Sequence, residues 1–154
     1  MTAGSIMIEG GIMIERVDIV CAKQRMDSFA QQLGAEPRYL PTCGEPWHEG
    51  RPHIEVDGEY HLVTYENGIA CERRSTEDLE TLLYWIFEEV TFAMAAEYEL
   101  RHRRTAEDSR RQLFSKQIEL LGRLLPRWTL RKAAEQGDIL KRYPYSDAVD
   151  KACH

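Results

Sequence analysis

The chain is short of the features that announce most function classes. Its four cysteines, Cys21, Cys43, Cys71 and Cys153, lie far apart and form no CxxC pair. That spacing encodes neither a disulfide framework nor a thiolate metal knuckle, and free thiols in a reducing cytosol are expected. No apolar run approaches the roughly 20 residues a membrane helix needs. Ile6-Met7-Ile8 and Ile12-Met13-Ile14 are short, and no basic n-region precedes them. Positive charge is also scarce. The 26 acids and 20 bases leave a net charge of −6; 12 acids and 7 bases fall before Ser75, and 14 acids and 13 bases after it. The acidity sits in the N-terminal half, which argues against holding nucleic acid by phosphate neutralisation. Nucleophile elbow, Walker loop, dinucleotide fingerprint and HExxH are all missing. The expectation is a cytoplasmic, soluble protein with no cofactor, no nucleic acid and no membrane partner.

What is present is a long helical stretch from Thr76 to Arg104, free of Gly and Pro. Ser75-Thr76-Glu77-Asp78 has capping-box spacing, a hydroxyl followed three residues later by a carboxylate, and so predicts the helix start. At 100° per residue, Leu79, Leu82, Leu83, Ile86, Phe87, Val90, Ala93, Met94, Tyr98 and Leu100 share one arc that predicts the core face. Trp85 and Phe92 lie off that arc, either under a second core layer or on a partner-binding surface, and Glu97 near its centre is placed to reach Arg101.

The remaining elements follow from local signals. The near-repeat IMIE-GG-IMIE over residues 1–15 reads as a hairpin turning on Gly10-Gly11 or as a loosely ordered tail. Ile19, Ala22, Met26, Phe29, Ala30 and Leu33 recur at helical steps and Gly34 stands where that helix stops. Pro37, Pro41, Pro46 and Pro52 predict a long irregular loop from Gly34 to Pro52. From His53 to Arg74, Asp57-Gly58 and Asn67-Gly68 predict a three-stranded antiparallel meander. A bulged first turn places Val56 opposite Tyr60 and Ile54 opposite Leu62 on one apolar face. The other face then carries His53, Glu55, His61, Val63, Tyr65, Glu72 and Arg74, mixed and wet. Thr105 to Asp108 is a second capping box before a stripe of Leu113, Phe114, Ile118, Leu121 and Leu125. Pro126 opens a fourth helix with Trp128, Ala134, Ile139 and Leu140, weakened at Gly137 and ended by Pro144. The expected fold is α+β, one domain over residues 1–154, with the meander packed on about four helices around the long central one.

Candidate chemistry is thin. Glu99 and His102 form one ExxH, where a di-iron bundle needs two such motifs and further glutamates. Cys43, His48, His53 and His61 match no compact zinc spacing. Arg101, Arg103, Arg104, Arg110 and Arg111 are interleaved with Glu97, Glu99, Glu107 and Asp108, the pattern of an ion-paired helix junction. Glu45, Glu49, Glu55, Asp57, Glu59, Glu66 and Glu72, by contrast, meet only Arg51. Such acids either keep hairpin edges soluble or hold a basic partner.

The run RRSTEDLETLLYWIFEEVTFAMAAEYELRHR (Arg73 to Arg103), then DSRRQLFSKQIELLGRL (Asp108 to Leu124), Arg127-Trp128 and ILKRYPYSD (Ile139 to Asp147), with PHIEVDGEYHLV (Pro52 to Val63) before it, resembles the immunity protein 63 family. That family belongs to bacterial polymorphic toxin and contact-dependent inhibition systems. The resemblance spans roughly Leu40 to Asp147. It implies a cytoplasmic antitoxin that binds and neutralises a cognate toxin domain, without catalysis, in competition between bacteria. An acidic surface would suit a basic nuclease toxin. The expected toxin-binding residues are Trp47, His48, Glu49, Glu55, Asp57, Glu59 and Glu66; Arg101, Arg103 and Arg104 form a second surface suited to an acidic partner. The competing readings are a small metal-dependent enzyme using Glu99 and His102, and an acidic adaptor protein.

Overall fold

A computed structural model describes residues 18–43 and 50–147, with the backbone of two short strands, β1 (Ser5–Met7) and β2 (Met13–Glu15), before them. The chain is α+β and divides into two compact units, residues 1–86 and 87–154, with the division falling inside the long helix.

In the first unit, β1 and β2 pair antiparallel, Ser5 opposite Glu15, the hairpin alternative of the two readings of the near-repeat; Gly10-Gly11 lies outside the described residues. Helix α1 (Ile19–Leu33) is capped by Asp18, whose carboxylate accepts from the Val20 amide. It ends at Gly34, whose φ of 67° is the left-handed conformation that glycine adopts without a Cβ penalty. Ala22, Met26, Phe29, Ala30 and Leu33 form its buried face, the apolar set read from the sequence apart from Ile19. The proline-rich stretch is less irregular than its composition predicts. A 3₁₀ turn occupies Pro37–Tyr39, and β3 (Thr42–Cys43) pairs parallel with β4 (His53–Val56). The Arg51 guanidinium fastens this stretch by donating to the carbonyls of Pro37 and Leu40. The expected three-stranded antiparallel meander is present as β4, β5 (Tyr60–Glu66) and β6 (Ile69–Thr76), and β3 extends it to a four-stranded mixed sheet in the order β3-β4-β5-β6.

The first hairpin has the register that the apolar alternation demands: Val56 faces Tyr60, Ile54 faces Leu62, and Asp57-Gly58-Glu59 close the turn. The second hairpin, between β5 (Tyr60–Glu66) and β6 (Ile69–Thr76), turns on Asn67 and Gly68, both at positive φ, which is the type I′ geometry. Its ladder is interrupted. Tyr65 pairs with Ala70 but Thr64 with Glu72, so Cys71 is an extra residue in β6. The shift exchanges the faces of every β6 residue beyond it.

Helix α2 (Leu79–Arg101) starts later than the capping box predicts. Asp78, the last residue of that box, is the cap: its Oδ2 accepts from the amide of Thr81 at 3.0 Å. Within the first unit Leu79, Leu82, Leu83, Tyr84 and Ile86 are buried, and Arg74 covers Trp85 with its guanidinium 5.2 Å from the ring.

In the second unit the buried face of α2 turns away from the expected arc. Phe87, Val90, Thr91, Ala95 and Glu99 are buried, whereas Leu100 and Phe92 are 64% and 50% exposed. Helix α3 (Ser109–Leu124) is again capped by the last acid of its box, Asp108, and α4 (Pro126–Arg142) runs through Gly137 without interruption. The two helices approach closely at Gly122, where a Cβ would stand 2.9 Å from the Thr129 methyl. Their buried faces include Gln112, Gln117, Lys132 and Gln136, while Ala134 and Ile139, expected inside, are exposed. Burial of these polar groups is supported by partners. Gln117 donates to the Glu88 carbonyl, Gln136 to the Phe114 carbonyl, and the Lys132 ammonium lies 2.8 Å from Glu88 and from Glu135.

Candidate functional site

One face of the sheet gathers two of the sequence's five histidines, with the acids Glu55 and Asp57 bound to them. On β4, His53 and Glu55 point to the same side, and His61, Val63 and Tyr65 on β5 meet them there by register. The bulge at Cys71 adds Arg73 and Ser75 from β6. Glu72 and Arg74, expected on this face, therefore lie on the opposite one.

Two polar clusters result. In the first, the Glu55 carboxylate is the hub: His53 Nε2 is 2.7 Å from Oε2, the Tyr65 hydroxyl donates to the same oxygen at 3.0 Å, and Arg73 reaches Oε1 at 3.2 Å. Partial burial pushes the Glu55 pKa up. The hydrogen bonds from His53 and Tyr65, with the Arg73 charge, outweigh it and hold the group below the usual glutamate range. The same hydrogen bond holds the Tyr65 hydroxyl above its usual value. The His53 ring is fully buried and stacks on Tyr65 at 5.1 Å. With Nε2–H donating to Glu55, its Nδ1 is a buried acceptor without a partner among the described residues.

In the second cluster the His61 ring bridges Ser75 and Asp57, with Nδ1 2.6 Å from the Ser75 hydroxyl and Nε2 2.5 Å from Asp57 Oδ1. The hydrogen bond from His61 holds Asp57 below the usual aspartate range. A serine, a histidine and an aspartate in contact invite comparison with a hydrolytic triad. Here the carboxylate holds Nε2 and the hydroxyl Nδ1, and Asp57 is itself exposed at the turn. The arrangement fastens the hairpin turn to β6. The wet face expected from the alternation is thus dry at its centre: His53 and Val63 are completely buried and His61 nearly so.

The expected binding residues separate. Trp47, His48 and Glu49 lie outside the described residues. Glu55 is half-buried and committed to three partners, and Asp57 is tied to His61, while Glu59 and Glu66 stand exposed. Asp57 and Glu59 close the first hairpin, whereas Glu66 sits at the far end of the seven-residue β5, about 20 Å away at roughly 3.4 Å per residue. Acids close in sequence become two exposed ends of one sheet with a neutralised centre. The stronger charge signal is regional: residues 1–86 hold 15 acids and 7 bases, and residues 87–154 hold 11 acids and 13 bases.

The arginine group is an ion-paired junction. Arg103 grips the nearly buried Glu99 with two hydrogen bonds, 2.7 and 3.1 Å, which lower the Glu99 pKa. Arg104 pairs with Glu107, Arg110 with Asp108 and Arg111 with Asp147, and Arg101 is exposed at the end of α2. Glu99 is committed to Arg103, and His102 Nδ1 donates to the Tyr98 carbonyl, so the ExxH pair presents no joint metal-binding face. Among the described residues no group of three or more His, Cys, Asp or Glu side chains converges on a metal position.

The junction also anchors the segment after α4. Arg110 donates to the carbonyls of Tyr143 and Pro144, Arg111 lies 4.1 Å from the Tyr145 ring centre, and Asp108 and Asp147 exchange bonds with the opposing backbone. The Asp108 carboxyl is held far below its usual range by Arg110 and by the amides of Ser146 and Arg110. The Tyr-Pro-Tyr-Ser-Asp segment thus works as a latch across the start of α3.

The described residues form an α+β protein whose acidic residues concentrate in the first unit, and the class of the chain is given by its family match. Residues 57–138, more than half of the chain, match the family described as Immunity protein 63, and the chain belongs to that family. The match runs from the first hairpin turn into α4, inside the span of the resemblance read from the sequence. No curated protein and no solved structure matches the chain. No helix among the described residues is long and apolar enough to cross a membrane.

Proposed function

We propose that this protein binds a cognate toxin domain in the bacterial cytoplasm and neutralises it by occupying its surface, with no chemistry of its own. Family membership carries the immunity assignment. The charge of residues 1–86 supports a basic partner, a nuclease domain being the natural candidate because carboxylates can occupy a site built for phosphates.

The exposed acids at the two ends of the sheet, Asp57 and Glu59 at one and Glu66 at the other, are the proposed contacts, together with Trp47, His48 and Glu49 of the proline-rich sequence before β4. Glu55 supports them by holding Arg73 and His53 in place. The test is charge reversal at Glu59 and Glu66, which leaves the bonded clusters intact. Each reversal is expected to slow association with the toxin several-fold at low salt, and the deficit should shrink as salt screens it. Unchanged association rates in both variants remove the acidic sheet ends from the interface.

A further inference from the structure

The helical unit carries a site of the opposite sign. An open cleft of about 230 Å³ is lined by Tyr98 of α2, Arg104 of the α2–α3 connection, and Arg111, Ser115, Lys116 and Glu119 of α3. Gln112 lies among them, and steps of three and four residues, 112 to 116 to 119 and 111 to 115 to 119, put these α3 side chains on one face of the helix. Three cations line the cleft against one carboxylate, Glu119, while Arg104 and Arg111 also pair with Glu107 and Asp147 outside its lining.

That carboxylate is already committed. Glu119 accepts from Arg123 at 2.5 Å and from Lys116 at 3.2 Å, contacts that hold its pKa below the usual glutamate range. Arg104 is 65% exposed and its bonds to Glu107 are long, 3.2 and 3.4 Å, so it can turn toward a better acceptor at little loss. The Lys116 ammonium sits 4.5 Å from the centre of the Tyr98 ring, which itself stacks on His102 at 4.1 Å. The ring face attracts the ammonium and restrains it beside Tyr98 in the cleft lining. Ser115 is exposed and lines the same cleft.

The cleft is smaller than the roughly 300–1,000 Å³ of a small-molecule site. It suits one anionic group carried on a larger partner. We propose that it receives an aspartate or glutamate side chain of the toxin, held by Arg104, Lys116 and the Ser115 hydroxyl. This rests on the immunity reading and adds a second contact, opposite in sign to the sheet ends. The partner is then mixed in charge: basic toward residues 1–86 and acidic at the residue that enters this cleft. Such a pairing would discriminate against uniformly basic toxins.

Two measurements test it separately. The full chain, labelled with nitrogen-15, is titrated at low salt with tetraglutamate and, in parallel, with inorganic phosphate. Saturable shifts at the amides of Tyr98, Arg104, Ser115 and Lys116 with the peptide, lost in Lys116→Gln and in Ser115→Asp, support the site. Absence of those shifts, or phosphate binding tenfold tighter than the peptide, overturns it. The cognate toxin domain is then bound to wild type and to Ser115→Asp, which adds a charge at an exposed position. A tenfold or greater loss supports the proposal. Equal affinity overturns the cleft contact and leaves the immunity reading standing. If wild type binds the peptide but not the toxin, the immunity reading falls and takes the toxin contact with it.

Discussion

The close approach of α3 and α4 makes Gly122→Ala the sharpest test of packing in the helical unit. An alanine in a helix interior is intrinsically better than glycine by about 1 kcal/mol. Here its Cβ would lie 2.9 Å from the Thr129 methyl, a distance that forces movement. Thr129 cannot rotate away freely, because its hydroxyl donates to the Pro126 carbonyl at 2.6 Å. Overpacking of this kind costs about 1–3 kcal/mol, so the single substitution should be neutral or destabilising by up to about 2 kcal/mol. Thr129→Ser removes the methyl and keeps the hydroxyl bond. In that background the clash is gone and Gly122→Ala should stabilise by up to about 1 kcal/mol. The predicted coupling is therefore about 1–3 kcal/mol with a change of sign. Urea unfolding of the four proteins, followed by circular dichroism and by the fluorescence of buried Trp128, measures it. Additivity within about 0.5 kcal/mol would refute the contact.

Three further outcomes are expected. Asp78→Ala should cost about 1 kcal/mol in thermal unfolding as the loss of the α2 cap, whereas Glu77→Ala, one residue earlier, should be near neutral. Asp108 has a folded pKa below its ordinary 3.8, so the stability it lends is present above that value and is lost as pH falls through and below it. Amide exchange at Ser146, which donates to Asp108 at 2.9 Å, should therefore accelerate on acidification below about pH 4 before the rest of α3 opens, and Asp108→Asn should abolish that pH dependence. Glu55→Gln should lower stability by about 1–3 kcal/mol, because Arg73 and His53 lose a charged acceptor in a half-buried setting, while Glu66→Gln leaves it unchanged; chemical denaturation separates the two.

Much of this fold is legible from local chemistry. The first hairpin's register follows from requiring Ile54 and Leu62 on one face, and Asn-Gly specifies the second turn because both residues adopt positive φ. The apolar period of α1 and the glycine after it mark that helix to within a residue or two. Other features have no sequence signal of the kind used. A bulge is one residue in a strand that otherwise alternates, so nothing in the pattern reveals that Cys71 turns Arg73 rather than Arg74 toward Glu55. Capping boxes locate a helix start only to within their own length; in both cases here the closing acid, Asp78 or Asp108, takes the cap. The buried seam of Gln112, Gln117, Lys132 and Gln136 is invisible to any rule that equates burial with apolarity, since each side chain is inside only because another element supplies its partner. The same limit governs the candidate site. Composition reveals an acidic stretch, but pairing decides which acids are spent on His53, His61 and Arg73 and which, like Glu59 and Glu66, remain at the sheet ends.

The most direct test of the central claim is the complex itself. Tagged protein is mixed with its proposed cognate toxin domain, the mass of the product is measured, and growth of toxin-expressing cells is scored with and without the protein. Immunity predicts a stable stoichiometric complex and restored growth, with both weakened when Glu59 and Glu66 are reversed in charge. A toxin that remains free, in cells that still die, contradicts it.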